Sequence, residues 1–410
     1  MNPQVSSNIP SIGVICEFNP LHNGHVYLLK EARRLVGDTG VMICVMSGRS
    51  TQRGECAVVE PFARSRMALS GGADLVIELP FPWCSGGAEA FAMGGVHILS
   101  SLGVEQLIFG SECGDIQLLE QGAALISSSA FTRCYAALCR EGMGTASAYA
   151  QAIRTLAADI PEDFPSSNDL LGLAYLAAIK KLKSNMVPHT IRRLGQDYRD
   201  ELLTDTAFPS ATSLRNLIFE AACDPESLAM MLDGTMPDEA LTILLAEIGE
   251  EKAPISPAPL TAYAHLYFRL NANPPSDIAE TGGGLWAHLH KCAMGASTPE
   301  AFFSAAATKQ YTNARLRRSM LFAITGVTDA DMQALPAYTQ LLAANHRGRA
   351  YLSALRKSDR AALPVITKPA DAPEGRQKAL NAQMDSLFTL CLPSAKEAGW
   401  LMKKAPYMTE

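Results

Sequence analysis

The sequence predicts an α/β fold on a doubly wound parallel sheet, and three observations carry that prediction. Four short runs in the N-terminal part are almost wholly aliphatic, as strands buried on both faces are. Helical patterns fill the intervals, at the roughly thirty-residue spacing of βαβ units. The loops after the first, second and fourth runs are polar, and all would open on the carboxyl edge of the sheet, where ligands of such folds collect.

Taken in order, residues 1–10 are polar, hold two prolines and read as a loose arm. Residues 12–18 (IGVICEF) form the first strand. A helix follows over 26–36, with Leu28, Leu29, Ala32 and Leu35 on one side and Lys30, Arg33 and Arg34 elsewhere. The second strand covers 41–46, the third 74–79 and the fourth 104–109, with helices over 62–69 and 88–99. Residues 116–183 read as a helical insertion, interrupted at 160–168 (IPEDFPSSN), where Ser167 or Asn168 caps a helix starting near Leu170. A further strand over 187–194 and a helix over 210–219 resume the sheet. Beyond about residue 225 the strand signals stop. Ala/Leu-rich patterns broken at 253–260, 273–275 and 367–373 predict an all-α C-terminal domain over 226–410.

Hydrophobic content of 48% with 19% charged residues suits a water-soluble chain, and no apolar run reaches the length of a membrane span. No basic and apolar leader opens the sequence, so a cytoplasmic location is expected. The ten cysteines are scattered without any Cys-x-x-Cys, which predicts reduced thiols acting as small hydrophobes. The net charge is −6, but residues 301–410 hold 15 Lys and Arg against 8 Asp and Glu, a balance of +7, leaving −13 for residues 1–300. The C-terminal quarter can attract a polyanion while the remainder does not.

The richest stretch runs from Ile12 to His25. It reads as a strand, a turn on Asn19-Pro20, then His22-Asn23-Gly24-His25 leading into a helix. A helix start presents unpaired N–H groups to phosphate, and two imidazoles there can stabilise charge on a phosphoryl group. Gly24 lets a ligand approach the backbone. Taken alone, the pair is equally a set of capping histidines; as metal ligands they lack an evident third partner. Ser210-Ala-Thr-Ser-Leu-Arg215 offers hydroxyls and a guanidinium to phosphate oxygens, or is a plain helix cap. Ser47-Gly-Arg-Ser-Thr-Gln-Arg-Gly-Glu55 can grip a carboxylate or pyrophosphate, or is a solvated loop. Gly110-Ser-Glu112 can admit adenine or ribose. Arg192 and Arg193 reach the same edge unless they pair with Asp197 and Asp200. Glu17 and Glu78 stand in apolar runs and are therefore paired or close to the site. Without Gly-x-Gly-x-x-Gly or Gly-x4-Gly-Lys-Ser/Thr, neither a Rossmann dinucleotide site nor a P-loop is expected.

His22-Asn-Gly-His25 after an apolar strand, with Ser210–Arg215 far downstream, resembles the His-x-Gly-His nucleotidylyltransferase superfamily. Within it the chain most resembles the bacterial tRNA(Met) cytidine acetate ligases, through GVICEFNPLHNGH, the SG…QRGE loop, GADLVIELPFP, FGSE, IRRLGQDYRD, SATSLR and TKQYTNARLRR. The resemblance implies an ATP-dependent carbon–nitrogen ligase that activates acetate as acetyl-adenylate and acetylates N4 of the wobble cytidine of elongator tRNA(Met). It implies that Gly13, Val14, Glu17, Phe18, Asn19, Pro20, Asn23 and Gly24 line the ATP site, completed by Gly110, Asn168, Arg193, Leu194, Ser210 and Ser213. His22 and His25 would stabilise the α-phosphate transition state, Arg215 would hold β- or γ-phosphate, and Mg²⁺ would offset phosphate charge. Ser47, Gln52 and Arg53 would meet the substrate. Residues 1–225 would form the catalytic domain, with an insertion near 116–185, and 226–410 the tRNA-binding part, through Arg315, Arg317, Arg318, Arg347, Arg349, Arg356 and Lys357. The chain departs from the family pattern at Arg49-Ser50-Thr51, where Asn-Phe-x is usual, at Glu60-Pro61, where a lysine is common, and at Leu342-Ala-Ala-Asn345. The first two departures fall where acid or tRNA would bind. A small-molecule adenylyltransferase and an RNA-binding homologue without catalysis are the alternatives.

Overall fold

The aliphatic runs form the centre of one sheet. In the computed structural model the described residues are 9–409 apart from 158–159, 162–163, 195–207, 276 and 359–361; Asp197 and Asp200 lie outside them. The N-terminal strands are β1 (Ser11–Cys16), β2 (Val41–Ser47), β3 (Leu75–Leu79), β4 (Gln106–Ser111) and β5 (Val187–Arg192). They are followed by β6 (Thr339–Ala344), β7 (Val365–Ile366) and β8 (Tyr407–Met408). Among the described residues they form an eight-stranded sheet in the order β5-β4-β1-β2-β3-β6-β7, with β8 also on β6. The first five are mutually parallel, Ser11 opposite Val41, Ile43 opposite Leu75, Ile12 opposite Gln106 and Gln106 opposite Val187. Ile12, Val14, Ile43, Val45, Leu75 and Ile77 are all fully buried, which is why these strands read as unbroken aliphatic runs.

The chain walks outward from β1 through β2 to β3, then returns to place β4 on the other flank of β1. That reversal between β1 and β4 opens a crevice at their carboxyl ends. Helices α1 (Asn23–Val36), α2 (Pro61–Ser70) and α3 (Ala88–Ser101) make the crossovers. The insertion holds α4 (Ile116–Ile126), α5 (Ser129–Arg140), α6 (Thr145–Leu156) and α7 (Ser167–Lys181), and α8 (Ala211–Ala221) follows β5. Helix α7 starts earlier than expected, with Ser166 as its cap. Helix α2 opens on Glu60, whose carboxylate accepts from the N–H groups of Phe62 and Ala63 and from Lys404 near the chain end.

The C-terminal part is not all-α. Helices α9 (Pro225–Leu232), α10 (Asp238–Gly249), α11 (Ala258–Leu270), α12 (Leu285–Gly295), α13 (Pro299–Ala306), α14 (Asn313–Thr325) and α15 (Asp329–Gln333) do succeed one another. Strand β6 then enters the main sheet antiparallel to β3, with Leu75 opposite Ala344, and α16 (His346–Ser358) and α17 (Arg376–Leu390) complete the chain. Residues 339–344 (TQLLAA) are made largely of helix formers, yet every one is buried. Burial between β3 and its neighbours outweighs their intrinsic preference. All ten cysteines are free thiols, half of them buried. No helix among the described residues is long and apolar enough to cross a membrane.

Candidate active site

The chain leaves β1 through Glu17 and Phe18. Phe18 is fully buried, adopts φ of 46° and sets its ring edge-on to His25 at 5.0 Å between centroids. The Asn19–Pro20 peptide is cis. Asn19 accepts the Val58 N–H on its side-chain oxygen at 2.7 Å, and Pro20 is buried. His22 then caps α1: its Nδ1 accepts the Gly24 N–H at 3.1 Å, while the His25 Nδ1 accepts the His22 N–H at 3.3 Å. The two rings lie 3.9 Å apart between centroids.

These bonds assign the tautomers. Each Nδ1 is an acceptor, so each neutral ring carries its proton on Nε2. Burial, with Arg193 and Arg215 nearby, pushes His22 down to about 3. Burial, then His22 and Arg193, hold His25 well below its ordinary value. The pair therefore offers two uncharged Nε2–H donors at neutral pH.

The main-chain amides of α1 are not available as expected. Asn23 N–H donates to the Thr235 carbonyl at 3.0 Å, Gly24 N–H to the His22 ring, and His25 N–H to the His22 carbonyl at 2.8 Å. The Asn23 side chain likewise donates to the Gly234 carbonyl at 2.7 Å, so Asn23 anchors a loop of the later helices. Gly24 is required for a local reason: a Cβ there would stand 2.9 Å from the His22 ring. Gly13 and Val14 belong to the core. A Cβ on Gly13 would strike Leu99 of α3 at 2.6 Å, and Val14 is fully buried.

Helix α8 brings Arg215 to this edge, where its guanidinium donates to the Asn19 carbonyl at 2.9 Å and to the Thr212 hydroxyl at 3.1 Å. The predicted hydroxyl cradle narrows to Thr212. Ser210 and Ser213 are buried, Ser210 Oγ accepts the Ser213 N–H at 3.0 Å, and Ser213 Oγ donates to the Ser210 carbonyl at 2.8 Å. They form the cap itself.

Strand β4 supplies the other wall. The Glu112 carboxylate accepts the Asn168 and Asp169 N–H groups at 2.9 and 3.0 Å and the Asn168 amide at 2.6 Å. That orients the Asn168 side-chain oxygen toward Arg193, at 3.4 Å. The Arg193 stem crosses Gly110, where a Cβ would stand 3.2 Å from its Cγ. Leu194, just beyond, is exposed.

The loop after β2 turns inward. Arg49 is buried between Glu78 at 2.7 Å and Asp385 of α17 at 3.0 Å, and these carboxylates keep its pKa raised against the cost of burial. Ser50 bonds with Ser85 at 2.6 Å in the same buried layer. Within the loop expected to grip a carboxylate or pyrophosphate, Arg49 and Ser50 are thus scaffold. Gln52 N–H donates to Glu17 at 2.6 Å. Burial raises the Glu17 carboxyl against this bond and against Arg215, Arg53 and Arg64.

Arg64, which sequence reasoning passed over, ties the edge together. Fully buried, it donates to the carbonyls of Val59, Glu17, Ser47 and Gly48 and to the Ser47 hydroxyl, and burial brings it down to about 10. Ser47 is thereby part of this buried knot. The one available signal was an arginine amid the apolar residues of α2.

The C-terminal cations divide likewise. Arg317 pairs with Glu55 at 3.4 Å, Arg318 with Glu280 at 2.7 Å and Arg347 with Asp74 at 3.1 Å. Arg347, Arg349, Arg356 and Lys357 belong to α16, whose Tyr351 bonds to Leu102 ahead of β4 and whose start joins Asp74 ahead of β3. That is the amino edge of the sheet. Arg53 and Arg317 line one cleft with Arg215, whereas Arg315 stacks on Tyr311 and donates to the Gly282 carbonyl.

The assembled donors are imidazole Nε2–H, guanidinium and hydroxyl groups, which suit phosphate oxygens rather than a metal ion. Comparison with known proteins agrees. The sequence model of the HIGH nucleotidyl transferase family matches residues 9–400. A tRNA(Met) cytidine acetate ligase of Acetivibrio thermocellus is 32% identical, the match covering 95% of this chain and 97% of the relative. One of Lysinibacillus sphaericus is 31% identical over 96% and 97%. The crystal structure of apo Thermotoga maritima TmcAL superposes with a TM-score of 0.88 at 29% identity, covering 98% of this chain and 99% of that one. The same protein bound with α-thio ATP gives 0.85 at the same identity and coverage. The chain belongs to the HIGH nucleotidyl transferase family and, within it, to the tRNA(Met) cytidine acetate ligases.

Proposed function

We propose that this protein is an ATP-dependent ligase that acetylates N4 of the wobble cytidine of elongator tRNA(Met). An acetate oxygen attacks the α-phosphorus of ATP, forming acetyl-adenylate as pyrophosphate leaves. The cytidine N4 amine then attacks the acetyl carbonyl; the C–N bond forms, the C–O bond to AMP breaks and the amine loses a proton. No protein nucleophile is needed, so the work is positioning and charge stabilisation. The carrying observation is the His22–His25 pair, locked as neutral Nε2–H donors beside Arg215.

In this reading the two imidazoles meet the α-phosphate oxygens as negative charge builds, and Arg215 holds the β- or γ-phosphate. Asn168 and Arg193, set by Glu112, face the nucleoside beside Gly110. Phe18, Asn19 and Pro20 shape the turn that aims the histidines, and Glu17 fixes the Gln52 main chain beneath the neighbouring loop. Mg²⁺ arrives with ATP as part of the substrate. Residues 1–225 carry the ATP chemistry, although β6 completes their sheet. The RNA contacts fall to 226–410 and to Arg53, with Arg317, which lines a cleft with Arg53 and Arg215, the best placed of the C-terminal cations. A wobble base lies in a single-stranded loop, so taking it out of its stack is inexpensive. A cytoplasmic location follows from a tRNA substrate.

The test is incubation with ATP, labelled acetate and tRNA(Met). ATP-dependent label in the tRNA, with pyrophosphate released, is expected. Pyrophosphate release that depends on a phosphorylated small molecule while tRNA stays unlabelled would overturn the reading in favour of an adenylyltransferase.

A further inference from the structure

We propose that the cleft beside Arg215 is the seat of the extruded cytosine, with Phe219 as its stacking platform. The inference rests on the reaction proposed above and adds where the second substrate is held. Helix α8 presents Thr212, Arg215, Asn216 and Phe219 on one face, at the spacing of successive helical turns. This face, the loop after β2 and helix α14 enclose a cleft of about 190 Å³. Its floor includes Val58 and Ile255, both almost fully buried, while Phe219 is 43% exposed. An aromatic ring left open to solvent over an apolar floor suits the face of a planar base.

The polar wall fits the edge of that base. Arg53, Asn216 and Arg317 line the cleft, with Glu55 beside Arg317 and paired to its Nε, which leaves the terminal nitrogens of that guanidinium for the base. Cytosine offers two acceptors there, O2 and N3, to guanidinium and amide donors. Uracil carries a hydrogen on N3, so the same donors would meet a donor. Arg215 belongs to both sites: it lines the cleft and donates to the Asn19 carbonyl three residues before His22.

The test uses the full-length protein with Phe219→Ala and Phe219→Tyr. Acetyl transfer to tRNA(Met) is followed at varied tRNA, and binding of a non-hydrolysable ATP analogue is measured separately. F219A is expected to lower kcat/KM for tRNA roughly ten- to a hundredfold, the range for losing one base–aromatic stack. ATP-analogue affinity and thermal midpoint stay near wild type, and F219Y keeps most of the activity. A wild-type kcat/KM in F219A, or a loss that follows weakened ATP-analogue binding, overturns the pocket while leaving the reaction intact. A wild type that cannot label tRNA overturns the reaction, and the pocket with it.

Discussion

The loops after β1 and β2 leave adjacent parallel strands at the same edge, and both are polar, yet they spend that polarity in opposite ways. The first closes its backbone donors on itself and on the 234–235 turn, and by engaging both imidazole Nδ1 atoms as acceptors leaves the ring protons on Nε2. The second folds Arg49 between Glu78 and Asp385 and surrounds Ser47 with Arg64. In the proposed reading the first loop meets ATP, while the start of the second, Ser47 to Ser50, holds the sheet edge and α17 in place and only its later residues, from Arg53, line the cleft. Polar residues at the carboxyl end of a strand thus mark the region of a site without saying which of them face the ligand.

The sharpest test of the difference is to remove a charge from the second loop. Arg49→Met leaves Glu78 and Asp385 buried without their common cation, a loss that typically costs about 3–5 kcal/mol. Urea unfolding should show a fall of that size in stability. A triple variant with Glu78 and Asp385 also made apolar should recover much of it. A stable R49M would show that Arg49 does not hold Glu78 and Asp385 in the buried layer.

His22→Ala is the converse. Stability should fall by about 1 kcal/mol, the value of one helix cap. Pyrophosphate release should drop by about a hundred- to a thousandfold, as when one preorganised donor to a developing charge is removed. Rapid quench with labelled ATP reads the second effect and denaturant titration the first. An H22A enzyme with near-normal turnover would remove the imidazoles from the chemistry.

Protonation probes the same loop more gently. The folded chain keeps His22 neutral down to about pH 3, while in the unfolded chain it takes a proton near 6.5. Below pH 6.5 the unfolded state binds the extra proton, so stability falls as pH falls, and above 6.5 this contribution is constant. Between pH 6.5 and 5 the loss from His22 is about 2 kcal/mol at most. A His22→Asn variant should show a shallower decline over that interval. Equal slopes would mean that His22 titrates normally in the folded chain.

Much of this was readable beforehand, and the exceptions share a cause. Strands β1 to β4 announced themselves because burial on both faces demands aliphatic runs, and the histidine pair and Arg215 stood out by residue type and spacing. Strand β6 did not, because its Leu-Leu-Ala-Ala carries a helical preference that only its place beside β3 overrules. Arg64 went unmarked, because nothing local settles whether an arginine of α2 is buried or solvated. Ser210 and Ser213 looked like phosphate ligands because a cap and a phosphate cradle use the same residues. The amides of α1 were expected to be open, but Thr235, far along the chain, fills the first of them. The surprises at β6, Arg64 and the α1 amides depended on contacts distant in sequence, which local pattern cannot encode.

The smallest predicted effect tests whether the β4 wall works as the β1 loop does, by orientation from behind. Glu112 accepts three N–H groups at the start of α7, and one of them fixes which end of the Asn168 amide faces Arg193. Glu112→Gln keeps the shape but replaces one carboxylate oxygen with a donor, which cannot satisfy the same set of N–H groups. The Asn168 amide then turns or loses its brace. Binding of an ATP analogue should weaken about tenfold, the size of one lost charge-assisted hydrogen bond, while the fold survives because Ser166 and Asp169 still cap α7. Isothermal titration resolves a change of that size. Unchanged affinity would place Asn168 and Arg193 outside the nucleotide site and leave ATP held by the β1 loop and Arg215 alone.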